Sequence, residues 1–189
     1  MKSQIGVTLV ELMIALAVAA ILTSLAAPSF RQAMISNRLT SINNEFMGAI
    51  NFVRAEAIKR GQSITLCKST TGDACSTVNT TFWENGWIAF ADSNADGDLD
   101  VGEAVLQVWP TLPELYTLRS TAFTDFIRYN PQGATTTTGN FAVCHNSEEE
   151  GAKAVIITRL RPRIAEDSNN DLMPETDTAN TNISSCESP

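Results

Sequence analysis

The segment from Asp92 to Glu103, DSNADGDLDVGE, carries oxygen-bearing side chains at alternate positions. This order matches the calcium loop of an EF-hand, in which alternate side chains converge on one cation and a glycine turns the chain sharply. Gly97 stands at the sixth position, where the pattern requires that glycine. The candidate calcium ligands are Asp92, Asn94, Asp96, Asp98 through its backbone carbonyl, Asp100 and Glu103.

The surroundings of this segment favour another interpretation. Its flanks, GWIAFAD and AVLQVW, have the composition of strands rather than helices, and an acidic turn between two strands needs no metal. Both interpretations stay open, and we expect no other cofactor. A second, poorer match has Asp167, Asn169 and Asp171, with Leu172 where a glycine is required.

The four cysteines, at 67, 75, 144 and 186, predict two disulfides. Cys67 and Cys75 flank a turn-like STTGDA segment, so they are the favoured pair, and Cys144 is left with Cys186. Zinc is the rival interpretation, but the chain contains no CxxC. Two disulfides indicate an oxidising compartment.

Enzymatic chemistry is not expected. His145 is the single histidine of the chain and follows Cys144, and no GxSxG, P-loop or HExxH motif occurs. The formal net charge of −8 also argues against broad attraction to nucleic acid.

Three arginines nevertheless alternate in TRLRPRI, at Arg159, Arg161 and Arg163. On a strand all three would point to one face. A cluster of this size on an acidic protein would bind DNA weakly and with a strong salt dependence. The alternatives are an exposed arginine ladder and pairing with nearby acids.

The N-terminal residues form an apolar run from Val7 to Ala27, long enough to span a bilayer. Glu11 interrupts this run, although an acid at the centre of a membrane helix costs about 2.5–3.5 kcal/mol on insertion scales. An ordinary membrane anchor gains nothing from this glutamate.

Gly6 followed by VTLVEL resembles the class III leader of type IV prepilins and pseudopilins, except that Val7 stands where phenylalanine is usual. The resemblance implies that a prepilin peptidase cuts between Gly6 and Val7 and methylates the new N-terminus at Val7. Glu11 would become the fifth residue of the mature chain. It would then pair with the charged N-terminus of a neighbouring subunit during assembly.

The elements that carry these residues can also be predicted. Ile42, Phe46, Ala49, Ile50, Val53 and Ala57 recur on one face of a helix. Pro28 should kink or end a helix, but the pattern resumes after it, so we predict one gently bent helix from Val7 to about Arg60, ended by Gly61. The following residues form short β-branched and aromatic runs separated by turn residues. The predicted fold is α+β, with the long helix packed on an antiparallel β-rich head and with Trp83 and Trp87 as core residues.

The succession RAEAIKRGQSITLC, W…GWIAFAD and AVIITRLRPRI resembles the FimT/FimU-type minor pilins and the H-type (GspH-like) pseudopilins. The first resemblance implies a minor pilin that primes assembly of a type IV pilus (a fimbrium) and lies at or near its tip. The second implies a pseudopilin of a type II secretion system. Some FimT-type proteins contact DNA through an arginine pair, and Arg161 and Arg163 occupy that place, with Leu160 where the pattern has glycine.

The expected organisation has four parts: leader 1–6, membrane or filament-core helix 7–27, amphipathic helix 28–60 and head 61–189 with a disulfide-tied tail. The expected partners are the prepilin peptidase and other major and minor pilins, with DNA as the remaining candidate. We expect the chain to cross the bacterial inner membrane once, with its head in the periplasm. It would then enter a pilus or pseudopilus at the cell surface.

Overall fold

The computed structural model describes residues 6, 8–175 and 181–189. A single α-helix, α1 (Leu9–Arg60), precedes a series of short strands. The predicted first residue, Val7, lies outside the described residues. The helix continues through Pro28, so this proline does not end it. The backbone N–H of Gly61, at a φ of +65°, donates to Ala57 O at 3.0 Å and ends the helix where predicted.

The contacts of the chain divide it into two units, with the boundary between Arg38 and Leu39. In the described part of the first unit, α1 exposes large apolar side chains along its length. It is also the one helix among the described residues that is long and apolar enough to cross a membrane.

The second unit contains the last part of α1 and two antiparallel sheets. Within the described residues the strands are β1 (Ile64–Lys68), β2 (Trp87–Ala91), β3 (Val105–Trp109), β4 (Tyr116–Arg119), β5 (Phe126–Tyr129), β6 (Gly139–His145), β7 (Glu148–Ile157) and β8 (Pro162–Ile164). A 3₁₀ helix, Trp83–Asn85, precedes β2. The first sheet has the order β3-β2-β1-β5 and the second the order β4-β6-β7-β8. The predicted α+β fold is confirmed.

The predicted apolar stripe of α1 fills the core between these sheets. Phe46 has no exposed surface, and its ring lies 5.9 Å from that of Trp83, 5.4 Å from Trp87 and 4.6 Å from Phe141. These distances are in the range at which aromatic rings attract each other. The prediction that Trp83 and Trp87 are core residues is confirmed, since they are 2% and 0% exposed.

The outer face of each sheet is covered by its own smaller apolar cluster. Every residue of β1 is buried, as expected for a strand covered on both faces. On the first sheet the cluster contains Cys67, Ile88 and Phe90, with Cys75, Leu99 and Phe126 packed against it. On the second sheet it is formed by Ala142, Cys144, Ala152, Ala154, Ile156, Ala165, Ile183 and Cys186.

Candidate assembly helix and surface loops of the head

The N-terminus of α1 holds the residues predicted to act in processing and assembly. Gly6 lies outside the helix, Val7 lies outside the described residues, and Thr8 immediately precedes the helix. The backbone N–H of Glu11 donates to Thr8 Oγ1 at 3.2 Å, and that of Leu12 donates to Thr8 O at 3.1 Å. Thr8 is therefore the N-cap of α1. We had not predicted this role, although the order Thr-x-x-Glu before an apolar run signals it.

Glu11 lies in the first turn of α1, with its side chain exposed among exposed apolar neighbours. Among the described residues, no basic side chain forms an ion pair with it. The partial positive charge at a helix N-terminus favours an acid at this position. The arrangement presents a carboxylate on an apolar helix surface, where another subunit can reach it.

Two hydroxyl side chains farther along the apolar helix satisfy their hydrogen bonds within it. Thr23 Oγ1 donates to Ala19 O at 2.9 Å, and Ser24 Oγ donates to Ile21 O at 2.8 Å. Such bonds remove the cost of placing a hydroxyl in an apolar environment. Thr23 and Ser24 are therefore compatible with a lipid or filament-core setting.

Both disulfides join a covering segment to a sheet. The structure links Cys67 to Cys75, with Cα atoms 5.6 Å apart, and Cys144 to Cys186, with Cα atoms 6.1 Å apart. The second bridge fixes the C-terminal tail on the second sheet. There Glu187 also pairs with Arg119, a contact that sequence reasoning could not find because 68 residues separate its partners.

The acidic loop from Asp92 to Glu103 is closed by its own hydrogen bonds. Asp92 is fully buried and accepts bonds from Thr65 Oγ1 at 2.6 Å, Asp96 N at 3.2 Å and Gly97 N at 3.1 Å. Asn94 Nδ2 donates to Asp96 Oδ2 at 2.7 Å and to Asp100 Oδ2 at 2.9 Å. The amide group of Asn94 therefore occupies the space between these two carboxylates.

The remaining candidate ligands are held differently. Glu103 Oε1 accepts from the backbone N–H and the hydroxyl of Ser93, and Glu103 Oε2 accepts from Asp100 N at 3.2 Å. Asp98 is exposed, and its N–H donates to Asp96 Oδ1. Within residues 6, 8–175 and 181–189, no group of three or more His, Cys, Asp or Glu side chains is arranged to hold a metal ion.

The hydrogen bonds also set the ionisation of Glu103. Burial raises the pKa of this carboxyl group, but the bonds from Asp100 and Ser93 lower it by more, so the pKa lies below its ordinary value of 4.5. Glu103 is thus held in its charged form by three donors. Its role in this structure is to close the base of the loop.

The second acidic match forms the same turn as the first. In one turn Asp92 accepts from Asp96 N and Gly97 N; in the other Asp167 accepts from Asp171 N and Leu172 N at 3.2 and 3.0 Å. The asparagine side chains of the two turns make the same hydrogen bond: Asn169 Nδ2 donates to Asp171 Oδ2, and Asn94 Nδ2 donates to Asp96 Oδ2. Leu172 adopts a φ of +69° at the place of Gly97.

The arginines of TRLRPRI do not share a strand. Arg159 lies in a bend and Arg161 in the connection before β8, so Arg163 alone belongs to a strand. Thr158 makes the connection tight, because its hydroxyl both donates to Arg161 O and accepts from Arg161 N. The expectation that alternation places all three on one strand face is wrong. All three side chains are exposed.

Comparisons with known proteins agree with this geometry. The family model described as "Type II transport protein GspH" matches residues 43–160, and the "Prokaryotic N-terminal methylation motif" matches residues 1–27. No curated protein matches the chain by sequence. One crystal structure of the type IV minor pilin FimU from Pseudomonas aeruginosa PAO1 has 18% identity and a TM-score of 0.57, covering 79% of this chain and 96% of that one.

A second crystal form of FimU gives 18% identity and a TM-score of 0.54, covering 78% of this chain and 98% of that one. The fold is therefore that of a pilin, and the family and fold are those of structural pilins rather than of enzymes. The GspH family model matches residues 43–160, which is more than half of the 189 residues. The chain therefore belongs to the GspH family of pilin-like proteins, and it carries an N-terminal methylation motif.

Proposed function

We propose that this chain is a minor pilin that helps to prime assembly of a type IV pilus and lies at or near its tip. The observation that carries the proposal is Glu11, an acid in the first turn of an otherwise apolar and exposed helix. The fold shared with FimU over nearly the whole of that minor pilin supports the same assignment.

The proposed pathway begins in the bacterial inner membrane, with the apolar first part of α1 in the bilayer and the head in the periplasm. The prepilin peptidase cuts between Gly6 and Val7 and methylates Val7, and the helix then moves from lipid into the filament core beside other pilins. There the carboxylate of Glu11 pairs with the N-terminal amine of a neighbouring subunit. In an apolar core such a pair is far stronger than in water, provided that both groups are partnered.

Replacement of Glu11 tests this pathway. We expect Glu11→Val, and equally the isosteric Glu11→Gln, to be cleaved at the wild-type rate but to be lost from filaments sheared off the cell surface. The measurement is immunoblotting of membrane and filament fractions. Wild-type incorporation of Glu11→Gln would show that the charge has no part in assembly.

The alternative is an H-type pseudopilin of a type II secretion system, which the description of the matching family model favours. The same helix and head would then serve a periplasmic pseudopilus. Deletion of the gene separates the two assignments, because loss of surface pili with normal secretion supports the pilus. Loss of secretion with normal pili supports the pseudopilus.

A further candidate function is DNA uptake through Arg161 and Arg163. The observation in its favour is that both arginines are exposed next to a hairpin turn of an otherwise acidic protein. Gel shifts of the head at low salt test it, with the double variant Arg161→Glu/Arg163→Glu as the comparison. Wild-type protein that gives no shift, or a variant that shifts equally, removes this function.

We propose that the acidic loop needs no metal to keep its shape, since Asn94 already bridges Asp96 and Asp100. Calcium could bind only if this amide rotated to present its oxygen. Thermal unfolding of the head in EDTA and in millimolar calcium should give the same midpoint. A midpoint raised by calcium, together with calorimetric binding that is lost in Asp96→Asn, would instead make the loop a calcium site.

A further inference from the structure

We propose that the head of this chain binds the head of a second copy head to tail, through oppositely charged ends of its second sheet. One end is the arginine turn, residues 159–163, at the connection from β7 to β8. The other is the glutamate hairpin, residues 145–150, at the connection from β6 to β7. The inference rests on the proposed function as a filament subunit and assigns to the head a contact of its own, separate from that of Glu11 in the helix.

The length of β7 holds these two ends apart. At one end of the strand Glu148 pairs with His145, and at the other end Ile157 pairs with Pro162. Ten residues at about 3.3 Å each put about 30 Å between the two ends. Their opposite charges therefore cannot neutralise each other within one head.

The arginine turn is basic and carries an exposed apolar side chain. Arg159, Arg161 and Arg163 are all exposed. Among the described residues, no carboxylate forms an ion pair with Arg159 or Arg161. Leu160 lies between these two arginines and is 60% exposed. The hydroxyl of Thr158 bonds to both the carbonyl and the N–H of Arg161, so the turn has a defined shape.

The glutamate hairpin has the complementary composition. Glu148 and Glu150 are exposed, and within the described part of the chain neither forms an ion pair. Leu115 lies beside the hairpin, because its carbonyl accepts from Asn146 N at 2.7 Å, and it is 62% exposed. Glu114, which precedes it, is exposed as well. Each end of the sheet thus presents an exposed leucine beside charges of one sign.

Opposite charges at opposite ends favour a head-to-tail contact. A two-fold symmetric contact at either end would bring like charges together. In a head-to-tail contact Leu160 of one copy meets Leu115 of the next, and the arginines face the glutamates around them. Each copy then keeps one free end, so the contact repeats into an open array such as a filament. The acidic loop is a poorer partner, because Asn94 already bonds to the carboxylates of Asp96 and Asp100.

Photocrosslinking of two differently tagged copies of the full-length chain in detergent micelles tests this contact. A benzophenone amino acid takes the place of Leu160 in the first copy, and light links it to whatever lies within reach. We expect a crosslink to the second copy that maps to residues 114–116 or 145–150. Its yield should fall about fivefold when the salt is raised from about 50 mM to about 500 mM, because surface charges are screened.

Charge reversal separates this contact from nonspecific attraction. Arg159→Glu/Arg161→Glu in the first copy should abolish the crosslink, because like charges then face each other. Glu148→Arg/Glu150→Arg in the second copy should restore it. Since a restored crosslink requires two folded heads, the rescue excludes misfolding as the cause of the loss.

The matched control is Asp98→Arg/Asp100→Arg in the second copy, which makes the same change of charge in the acidic loop and should restore nothing. Restoration by this control would overturn the choice of the hairpin. No crosslink between wild-type copies would overturn the inference, and binding of added duplex DNA in its place would assign the turn to nucleic acid.

The same benzophenone variant in living cells identifies the partner in the filament. A crosslink to a different pilin, with none to a second copy, would overturn the choice of partner. Absence of the wild-type chain from sheared filaments would contradict the proposed function instead. The crosslink in micelles does not require filaments, so the two failures are distinguishable.

Discussion

Gly97 and Leu172 occupy the same position in two turns with matching hydrogen bonds, but their surroundings differ. Gly97 is buried, and a Cβ atom there would lie 2.5 Å from the Phe126 ring. Leu172 is 55% exposed. Both have positive φ values, +95° and +69°, in the region where residues with a Cβ are strained. Packing therefore requires glycine in the first turn, whereas the backbone alone favours it in the second.

Opposite effects on stability follow for the two positions. Leu172→Gly should raise the free energy of unfolding of the head by about 1 kcal/mol, because it relieves the strained backbone and removes a largely exposed side chain. Gly97→Ala should lower it by about 2–3 kcal/mol, because the new methyl group meets Phe126. Urea titration measures both. If Leu172→Gly is destabilising, the shared turn does not govern the stability of that segment.

The acidic loop acts as a cover for the first sheet as well as a turn. Leu99, Cys75 and Phe126 pack on the outer cluster around Ile88 and Phe90, and Gly97 allows the close approach to Phe126. Asp96, Asp98 and Asp100 are exposed, whereas Asp92 is buried and accepts bonds from Thr65 and from the loop backbone. A segment that looks like a ligand site in the sequence thus has a structural role in closing an apolar face.

This role predicts a pH dependence. Because the pKa of Glu103 is lowered in the folded head, its contribution to stability is complete above 4.5 and is lost as the pH falls through the lower, folded value. Glu103→Gln should be less stable than wild type at pH 7. The difference in free energy of unfolding should shrink as the pH falls below 4.5. A difference that is constant with pH would mean that the charge of Glu103 contributes nothing.

The C-terminal tail covers the second sheet in a corresponding way. Ile183 and Cys186 are buried on its outer cluster, and Thr121 Oγ1 donates to Pro189 O at 2.8 Å. The tail has few apolar residues, so its order depends strongly on the Cys144–Cys186 bridge. This bridge closes a loop with a sequence separation of 42, against 8 for the Cys67–Cys75 bridge.

Removal of each bridge should therefore have a different cost. By loop-closure entropy, Cys144→Ser/Cys186→Ser should lose about 4 kcal/mol and Cys67→Ser/Cys75→Ser about 2.5 kcal/mol. The first variant should also expose residues 181–189 to proteases while the sheets stay folded. Urea titration and limited proteolysis measure these effects, and an undigested tail in the first variant would contradict the dependence on the bridge.

Sequence patterns predicted the elements in which one buried face sets the periodicity. They predicted less of the structure that depends on contacts between residues far apart in the sequence. The apolar stripe from Ile42 to Ala57 and the runs that form β1, β2 and β6 were found in this way. Strand β4 was missed, because Tyr116–Arg119 is only four residues long and its register with β6 is supplied by pairing. The bend at Arg159 was also missed, because the alternation of arginines with other residues continues from Arg159 to Arg163 although the chain turns there.

The candidate functional residues were likewise predicted where a local motif determines them and not where remote residues do. Glu11 and Thr8 belong to a local motif, and the sequence contains all that is needed to name them. The geometry of the acidic loop depends on Thr65 and Phe126, which are remote in sequence, so its pattern left both calcium and an unmetallated turn open. Arg128, which donates to Ala95 O, had no local signal either.

The whole molecule combines two units with different requirements, and this predicts where the chain can be cut. The unit from Leu39 to Pro189 contains its own core, in which Phe46 contacts Trp83 of the 3₁₀ helix, Trp87 of the first sheet and Phe141 of the second. The described part of the unit before it has an exposed apolar surface that requires lipid or other subunits. A chain beginning at Leu39 should therefore be soluble without detergent and fold cooperatively.

The stability of that shortened chain should depend on the helix face it retains. Phe46→Ala should lower its free energy of unfolding by about 3–5 kcal/mol, since a fully buried aromatic side chain is removed. Asn51→Ala, on the exposed face of the same helix, should change it by less than about 0.5 kcal/mol. Urea titration compares the two. Equal and small effects would mean that the sheets hold together without α1, and that the helix serves the membrane and the filament alone.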